Sequence, residues 1–312
     1  MREKIWGMLL HLSPDVWTGE WNTQPMGEVF DEAVWLDLVD RAAKAGMNTI
    51  ALDVANAIRY DSHPEIAKEG AYSVDWMRKQ VKLCREKGIA LIPQLNFSTE
   101  HDAWLGEYSR MVSTSIYYAV AKDLIEEVYE IFDHPEYIHL GMDEEDWGSQ
   151  TANGHSVIIT RSPEQFAEDT QKLFDACTKN GARPWMWAGA TIFDYYGSEK
   201  RFAEAVPKDV VLSNYHYGSI HVGCEDMYAS PSVLQYKKLE QLGYDQIPCA
   251  STWLEPTCNL RTMNFAKNYM DDSKLLGFMS APWHLTIPEM LYGLMHDAVC
   301  QKLAIEKYYS EP

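Results

Sequence analysis

Residues 137–147 read YIHLGMDEEDW, an apolar run that ends in a glycine and is followed by four acids and a tryptophan. The run before the glycine has the length and composition of a short buried strand. Successive side chains along a strand point in opposite directions, so Asp143 and Glu144 are expected to have different surroundings and different tasks. The segment therefore predicts a buried strand that delivers carboxylates to a cleft.

Eight apolar runs alternate with amphipathic stretches along the chain. The runs lie at 5–12, 48–54, 89–97, 137–140, 184–188, 209–215, 247–253 and 275–283. The amphipathic stretches lie at 30–45, 73–87, 115–132, 162–180, 199–205, 230–242, 262–273 and 287–308. Helix signals support this division, as where Ser73 begins the second stretch as a capping residue and Gly88 follows it. Eight strand–helix units predict a single (β/α)8 TIM barrel that takes in residues 1–312 as one domain.

The βα loops of this barrel are expected to be enlarged. A (β/α)8 barrel usually takes about 250 residues, so the surplus in a chain of 312 residues must lie in loops. The longest candidates follow strands one, two, three, four and six, and these loops build the catalytic face of such barrels. A doubly wound open sheet is the alternative, but no glycine-rich phosphate loop follows the first apolar run.

The composition narrows the class of protein. Hydrophobic residues make up 46% and aromatic residues 12% of the chain, which predicts a sizeable core. The net charge of −19 argues against nucleic acid or an anionic membrane surface as the main partner. The six cysteines form no CxxC pair, so neither a zinc ribbon nor a disulfide framework is expected. The N-terminus has no apolar signal region and no run is long enough to span a bilayer, which predicts a cytoplasmic protein.

Polar and aromatic residues recur where the apolar runs end, on what should be one face of the barrel. Those expected to line a site beside the acids are His11, Asp53, Asn96, Trp187, Tyr215, Tyr217, Trp253, Glu255 and Trp283. The chain has eleven Trp and eighteen Tyr, whose flat faces pack on sugar rings but also serve as ordinary core residues. Of the two neighbouring tryptophans, Trp187 is expected to face the barrel mouth and Trp185 the helix layer.

Several of these residues also have simple structural interpretations. Asp53 could hold a loop or the start of a helix rather than meet a ligand. Glu145 and Asp146 are expected to be solvated loop acids. For Asp143 and Glu144 together, the structural interpretation is capping of the helix that follows the fourth strand.

The fourth strand and its loop resemble a known family. Residues 139–144, HLGMDE, resemble the His-x-Gly-Gly-Asp-Glu signature of family 20 glycoside hydrolases, the β-N-acetylhexosaminidases, which closes strand four of a barrel. Residues 92–96 followed by His101 are similar to the family's third-strand segment, although amides stand where acids are usual. Trp253 and Trp283 match tryptophans at the family's last two strand ends.

The resemblance implies hydrolysis of a terminal β-linked N-acetylhexosamine or related sugar by substrate-assisted retention. Glu144 would protonate the glycosidic oxygen as general acid. Asp143 would hold and charge-stabilise the 2-acetamido group of the substrate, which acts as the nucleophile. Tyr215 or Tyr217 would hydrogen-bond the acetamido oxygen, and His101 would contact the substrate. No metal ion or other cofactor is implied, and the oligomeric state is not predicted.

The sequence also departs from the family pattern. His11 stands near the end of strand one, where the family generally carries an arginine that grips sugar hydroxyls, and the nearest arginine on a βα loop is Arg59. His284 replaces the family's acid after the strand-eight tryptophan, and Met142 replaces the second glycine of the signature. These departures leave the substrate and linkage open.

Three other functions stay open on the sequence. Glu144 and Glu255 could be the acid/base and nucleophile of an ordinary retaining glycosidase, which requires carboxyl groups about 5–5.5 Å apart. The barrel could bind carbohydrate without turning it over. It could also be a metal-dependent sugar isomerase, with a divalent ion held by a set of possible oxygen and nitrogen ligands. That set is His11, Asp53, Asp143, Glu144 and His216.

Overall fold

The computed structural model describes residues 3–13, 24–152, 155, 157–218 and 231–310. Within these residues eight parallel strands form one sheet: β1 (Ile5–His11), β2 (Thr49–Asp53), β3 (Ala90–Gln94), β4 (Tyr137–His139), β5 (Arg183–Trp187), β6 (Val211–Ser213), β7 (Cys249–Ala250) and β8 (Gly277–Ser280). Their order is β6-β5-β4-β3-β2-β1-β8-β7. Parallel bridges between Leu212 and Gln246 and between Tyr215 and Cys249 join the two ends of the sheet. The sheet is therefore a closed barrel, and the predicted (β/α)8 fold is confirmed.

One principal helix follows each strand in the described part of the chain. These helices are α1 (Glu32–Lys44), α2 (Val74–Glu86), α3 (Ser115–Ile131), α4 (Pro163–Asn180), α5 (Glu199–Ala205), α6 (Pro231–Gln241), α7 (Cys258–Tyr269) and α8 (Leu291–Tyr308). The sequence signals act as expected, because the Ser73 and Ser162 hydroxyls accept hydrogen bonds from backbone N–H groups in the first turns of α2 and α4. The helices pack their apolar faces on the outside of the barrel.

The strands are buried on both faces, so alternate residues fill two separate cores. Leu9, Ala51, Ile92 and Tyr137 point into the barrel and pack in its interior. The next residues on the same faces reach the carboxyl ends of the strands. These residues are His11, Asp53, Gln94 and His139, and the backbone register pairs each with the next across neighbouring strands, so they lie at one level. The fold thus collects polar side chains at one end of the barrel.

The expected division of the two tryptophans on β5 is wrong. Trp185 and Trp187 both lie in the barrel interior and are buried. Residues two apart on a strand share a face, so the intervening Met186 is the one that points to the helix layer. Trp187 is nearer the mouth, as expected.

Enlarged loops follow several strands. The connections at 54–73, 95–114 and 140–162 contain short elements, among them a 3-10 segment at Asp102–Arg110 and a short helix at Trp147–Ala152. Parts of the loops after β1 and β6 lie outside the described residues, as does Cys224. Among the helices that the structure describes, none combines the length and the apolar character needed to cross a membrane.

Candidate active site

The acid pair follows a turn with an unusual backbone. Gly141, Met142 and Glu144 all have positive φ angles, of 69°, 69° and 53°. This left-handed conformation costs roughly 1–2 kcal/mol for a residue with a side chain, and such residues persist only where their surroundings hold them. His139 helps, since its Nδ1 accepts a hydrogen bond from the Gly141 N–H at 3.1 Å. Burial lowers the pKa of His139 to about 3 against the opposing charge of Asp143, so the ring is neutral and can accept this bond.

Asn96, in the loop after β3, fixes this turn. Its Oδ1 accepts hydrogen bonds from the N–H groups of Met142 and Ser98, each at 3.1 Å. Its Nδ2 donates to Asp143 Oδ1 at 2.9 Å. The loops after β3 and β4 approach so closely here that a Cβ on Gly141 would lie 1.8 Å from Asn96 Oδ1. The predicted site residue Asn96 therefore holds Asp143 in place.

His101 brings the two acids together. Its Nε2 lies 3.2 Å from Glu144 Oε2 and 3.6 Å from Asp143 Oδ2. Burial acts to raise the pKa of Asp143, but the charge of His101 and the hydrogen bonds from His101 and Asn96 outweigh it and hold that pKa below its ordinary value. Asp143 is thus a carboxylate at neutral pH. The side chain of Glu144 is 40% exposed, compared with 10% for Asp143, so the two acids have the different surroundings that the sequence predicts.

Four aromatic rings from the carboxyl ends of β5, β6 and β8 form one cluster. Trp187 meets Tyr215 edge to face at 5.7 Å between ring centroids and Trp283 at 6.2 Å. Tyr217 stacks on Tyr215 at 5.6 Å and meets the edge of Trp283 at 5.8 Å. The indole N–H groups of Trp187 and Trp283 are buried and have no hydrogen-bond partner among the described residues. The cluster offers apolar faces together with donors for a polar ligand.

Tyr215 is the tyrosine most closely coupled to the acids. Burial raises its pKa well above the ordinary value, and the negative charges of Asp143 and Glu144 raise it further. Burial also raises the pKa of Tyr217 well above its ordinary value, and among its neighbours the two acids rank behind Cys249 and Tyr215 as causes. Both phenols therefore keep their protons at neutral pH and can donate hydrogen bonds.

Known structures share this architecture. No protein-family model matches the sequence, and no curated protein matches it. The chitobiase of Flavobacterium johnsoniae superposes with a TM-score of 0.63 at 16% sequence identity, over 95% of this chain and 47% of that one. Dispersin B gives 0.62 at 14% identity, over 97% and 98% of the two chains. A β-N-acetylhexosaminidase from Bacteroides fragilis gives 0.62 at 13%, over 94% and 66%.

The chain has the barrel fold of the family 20 glycoside hydrolases. The resemblance inferred from residues 139–144 is confirmed at the level of fold. The chain spans about half the length of the Flavobacterium enzyme and nearly all of dispersin B.

The loop after β2 adds a cation that the sequence analysis missed. His11 Nδ1 and Asp53 Oδ2 lie 2.8 Å apart with both side chains buried, and the His11 ring is 5.8 Å from that of Trp283. Lys68 is also buried, and its ammonium donates to Ser13 Oγ at 3.0 Å. Burial lowers the pKa of Lys68 to about 8, opposed by the charge of Asp53. Arg59, the nearest arginine on a βα loop, is exposed, so Lys68 is the buried cation of the loop after β2.

Two predicted residues lie at the rim instead of in the aromatic cluster. Trp253 is 49% exposed. Glu255 accepts hydrogen bonds from the backbone N–H and the hydroxyl of Thr257, at 3.1 and 2.7 Å. The Thr257 hydroxyl bond is the main reason that the pKa of Glu255 is lowered. Glu255 thus braces its own loop ahead of α7.

The residues that the sequence suggested as metal ligands do not all lie together in the structure. Among the described residues, the one grouping of three or more potential ligands is His101, Asp143 and Glu144, whose ligand atoms lie within 4.8 Å of one another. His11 and Asp53 pair with each other instead, and burial lowers the pKa of His216, which is absent from the group.

The expectation that Glu145 is a solvated acid is wrong. Glu145 is buried and accepts hydrogen bonds from Thr99 and Arg161. Asp146 caps the short helix Trp147–Ala152, since its carboxylate accepts from the Ser149 N–H at 2.9 Å. The sequence carried no signal for the Arg161 contact, because the two partners are sixteen positions apart at opposite ends of the long loop after β4.

Asn96→Asp is expected to lower the free energy of unfolding at pH 7 more than at pH 4.5. The new oxygen would replace Nδ2, 2.9 Å from Asp143 Oδ1, and two carboxylates this close must share a proton. The pKa of the pair then rises, and each unit costs about 1.4 kcal/mol of stability above that pKa. As the pH falls through the raised pKa the pair takes up its proton and the deficit shrinks.

Denaturant unfolding at the two pH values measures this effect. Asn268→Asp is the matched control, because its amide is exposed and bonds to Asn264 rather than to an acid. An Asn96→Asp deficit that is equal at both pH values would contradict the assignment of Asn96 as the residue that stabilises ionised Asp143.

Proposed function

We propose that the protein is a glycoside hydrolase that removes a terminal β-linked N-acetylhexosamine, or a related sugar, by substrate-assisted retaining catalysis. The observation that carries the proposal is the grouping of Glu144 and ionised Asp143 around His101, at the mouth of a family 20 barrel and beside Trp187 and Trp283. In this proposal residues 1–312 act as one catalytic domain that needs no cofactor, and the partner is a carbohydrate.

Glu144 is the proposed general acid. It is the more exposed of the two carboxyls, so it can reach a glycosidic oxygen at the mouth of the barrel. It gives its proton to the leaving oxygen as the bond to the anomeric carbon breaks. The carbonyl oxygen of the substrate's own acetamido group forms the new bond to that carbon. Water then opens the cyclic intermediate and returns a proton to Glu144.

Asp143 is the proposed partner of the acetamido group. Positive charge develops on that group as its oxygen attacks, and a fixed carboxylate stabilises it. The lowered pKa of Asp143 keeps the carboxylate ionised. Its hydrogen bond from Asn96 fixes the direction in which it faces. Both properties suit a group that must stay charged throughout the reaction.

The aromatic cluster supplies the proposed sugar pocket. Tyr215 would donate its hydroxyl to the acetamido carbonyl oxygen, since it is the tyrosine most affected by the two acids. Tyr217 packs behind it. Trp187 and Trp283 would wall the pocket and offer their indole N–H groups. The His11–Asp53 pair would contact sugar hydroxyls beside Trp283, and rim residues Trp253 and Glu255 would meet the more distant part of the substrate.

The two-carboxylate mechanism has less support. It needs a nucleophile directed at the anomeric carbon, and Glu255 is occupied by Thr257 within its own loop. The substrate-assisted mechanism gives Asp143 a role beside Glu144 and does not need Glu255.

A panel of nitrophenyl glycosides tests the proposal. The wild type is expected to hydrolyse the β-N-acetylglucosaminide or β-N-acetylgalactosaminide and to leave the β-glucoside, which lacks the acetamido nucleophile, almost untouched. Asp143→Asn is expected to lower kcat by about 10²–10³-fold, the usual cost of removing one preorganised stabilising group, with the fold intact by circular dichroism. Turnover of only non-acetamido sugars would contradict the mechanism. Sugar binding without turnover would support a non-catalytic barrel.

A further inference from the structure

A buried ion-pair network begins at Glu145, the residue that follows the acid pair in the chain. Arg161, on the segment before α4, contacts Glu145 through Nε at 3.1 Å and through a second bond from Nη2, which makes a two-point contact. Its Nη1 donates to Asp169 Oδ2 at 3.0 Å. All three side chains are almost wholly removed from solvent. Bidentate arginine–carboxylate pairs of this kind fix orientation as well as distance.

Glu145 connects this network to the loop after β3. Its Oε1 accepts from the Thr99 N–H at 2.9 Å and its Oε2 from the Thr99 hydroxyl at 3.0 Å. Gln150 reinforces the junction, because its Nε2 contacts Thr99 Oγ1 at 3.1 Å. Each carboxylate oxygen of Glu145 therefore holds one group of Thr99 and one of Arg161.

The two loops joined in this way carry the groups that meet in the site. Thr99 lies two residues before His101, and Glu145 follows Glu144 immediately. The distance of 3.2 Å between His101 Nε2 and Glu144 Oε2 depends on both loops. Glu144 also has a positive φ angle of 53°, so its backbone requires support from its neighbours.

We propose that Glu145 and Arg161 are positioning residues that lock the loops after β3 and β4 together and so set the contact between His101 and Glu144. The proposal rests on the proposed function for its catalytic consequence, whereas the locking itself can be measured without any substrate. Both side chains are buried, and the hydrogen bonds described above join them to each other, to Thr99 and to Asp169 rather than to the acid pair.

Glu145→Gln is the variant that separates positioning from folding. Native Glu145, Arg161 and Asp169 carry two negative charges and one positive, and the variant leaves the balanced pair of Arg161 and Asp169. A glutamine has one acceptor oxygen in place of two. The oxygen that becomes an NH2 group can no longer accept its two hydrogen bonds, one from Thr99 and one from Arg161. Arg161→Lys keeps the charge but not the two-point contact, and is expected to be intermediate. Glu164→Gln is the matched control, as its ion pair with Arg201 is exposed on α4.

The experiment combines hydrogen exchange with kinetics. In Glu145→Gln, amides in 98–102 are expected to exchange at least about tenfold faster while the barrel strands keep their protection. With a nitrophenyl N-acetylglucosaminide, kcat is expected to fall by roughly 10²-fold, the scale of a displacement of about 1 Å in a catalytic group, with KM little changed. Glu164→Gln is expected to match the wild type in both measurements.

Other outcomes decide against the proposal. Unchanged exchange at 98–102 would overturn the locking, and faster exchange across the whole barrel would reduce Glu145 to a residue of general stability. Faster local exchange with unchanged kcat would overturn the positioning role. A wild type that turns over no glycoside would refute the proposed function, while the exchange data would still decide whether the two loops are locked.

Discussion

Glu144→Gln is expected to lower kcat by about 10²–10⁴-fold, the range that general acid catalysis contributes. Glutamine keeps the size of the side chain and can still contact His101, which lies 3.2 Å from Glu144 Oε2, but it has no proton to give to the leaving oxygen. The loss is expected to depend on the leaving group. A disaccharide needs protonation of its departing alcohol, whereas a dinitrophenolate leaves unaided.

Steady-state kinetics on these two substrates measures the effect. Loss of kcat should be near the top of the range for the disaccharide and far smaller for the dinitrophenyl glycoside. An equal loss on both would contradict the assignment of Glu144 as the acid. Glu255→Gln distinguishes the two glycosidase mechanisms, because a loss as large as that of Glu144→Gln would favour Glu255 as a nucleophile.

Gly141→Ala is expected to be the most destabilising single change at the site, at about 4 kcal/mol or more, the tail of the range for point substitutions. Two costs combine. The φ angle of 69° is unfavourable for alanine, and the new Cβ would lie 1.8 Å from Asn96 Oδ1 and 2.7 Å from Asn96 Cα. The Asn96 backbone cannot withdraw without moving β3, whose register with β4 pairs Gln94 with His139.

Gly88→Ala measures the cost of the positive φ angle without the steric clash. Gly88 has a similar φ angle of 76°, but a Cβ there meets nothing within 4 Å. It is expected to cost about 1 kcal/mol. Urea or guanidinium unfolding of both variants gives the difference, which belongs to the close approach of the loops after β3 and β4. A Gly141→Ala variant no less stable than Gly88→Ala would show that these loops can separate freely.

Much of the fold was predictable because it repeats. Eight alternations of apolar run and amphipathic stretch carry a periodic signal, and caps such as Ser73 and Ser162 mark helix starts locally. The position of Asp143 and Glu144 followed from the same logic, since strand ends of a barrel converge. Their separate surroundings were also predicted, but the cause is different, because the backbone is left-handed at Gly141, Met142 and Glu144 and not extended.

What could not be predicted depends on contacts between distant segments. The burial of Glu145 needs Arg161, sixteen positions away on the far side of a loop, and nothing local distinguishes Glu145 from the more exposed Asp146. Lys68 lies in a segment whose composition is typical of a surface loop, yet its side chain is buried near Asp53. The burial of Trp185 in the barrel interior differs from these cases, because it follows from the local alternation of side chains that puts Trp185 and Trp187 on one face of β5.

The left-handed backbone at Met142 and Glu144 has a consequence for behaviour on heating. A segment held in an unfavourable conformation by its neighbours has a more relaxed alternative that leaves the barrel folded. Local rearrangement of this kind requires less free energy than global unfolding. Warming should therefore disperse the two acids before the barrel melts, so that the half-life of the proposed glycosidase activity shortens at temperatures where circular dichroism still shows a native spectrum.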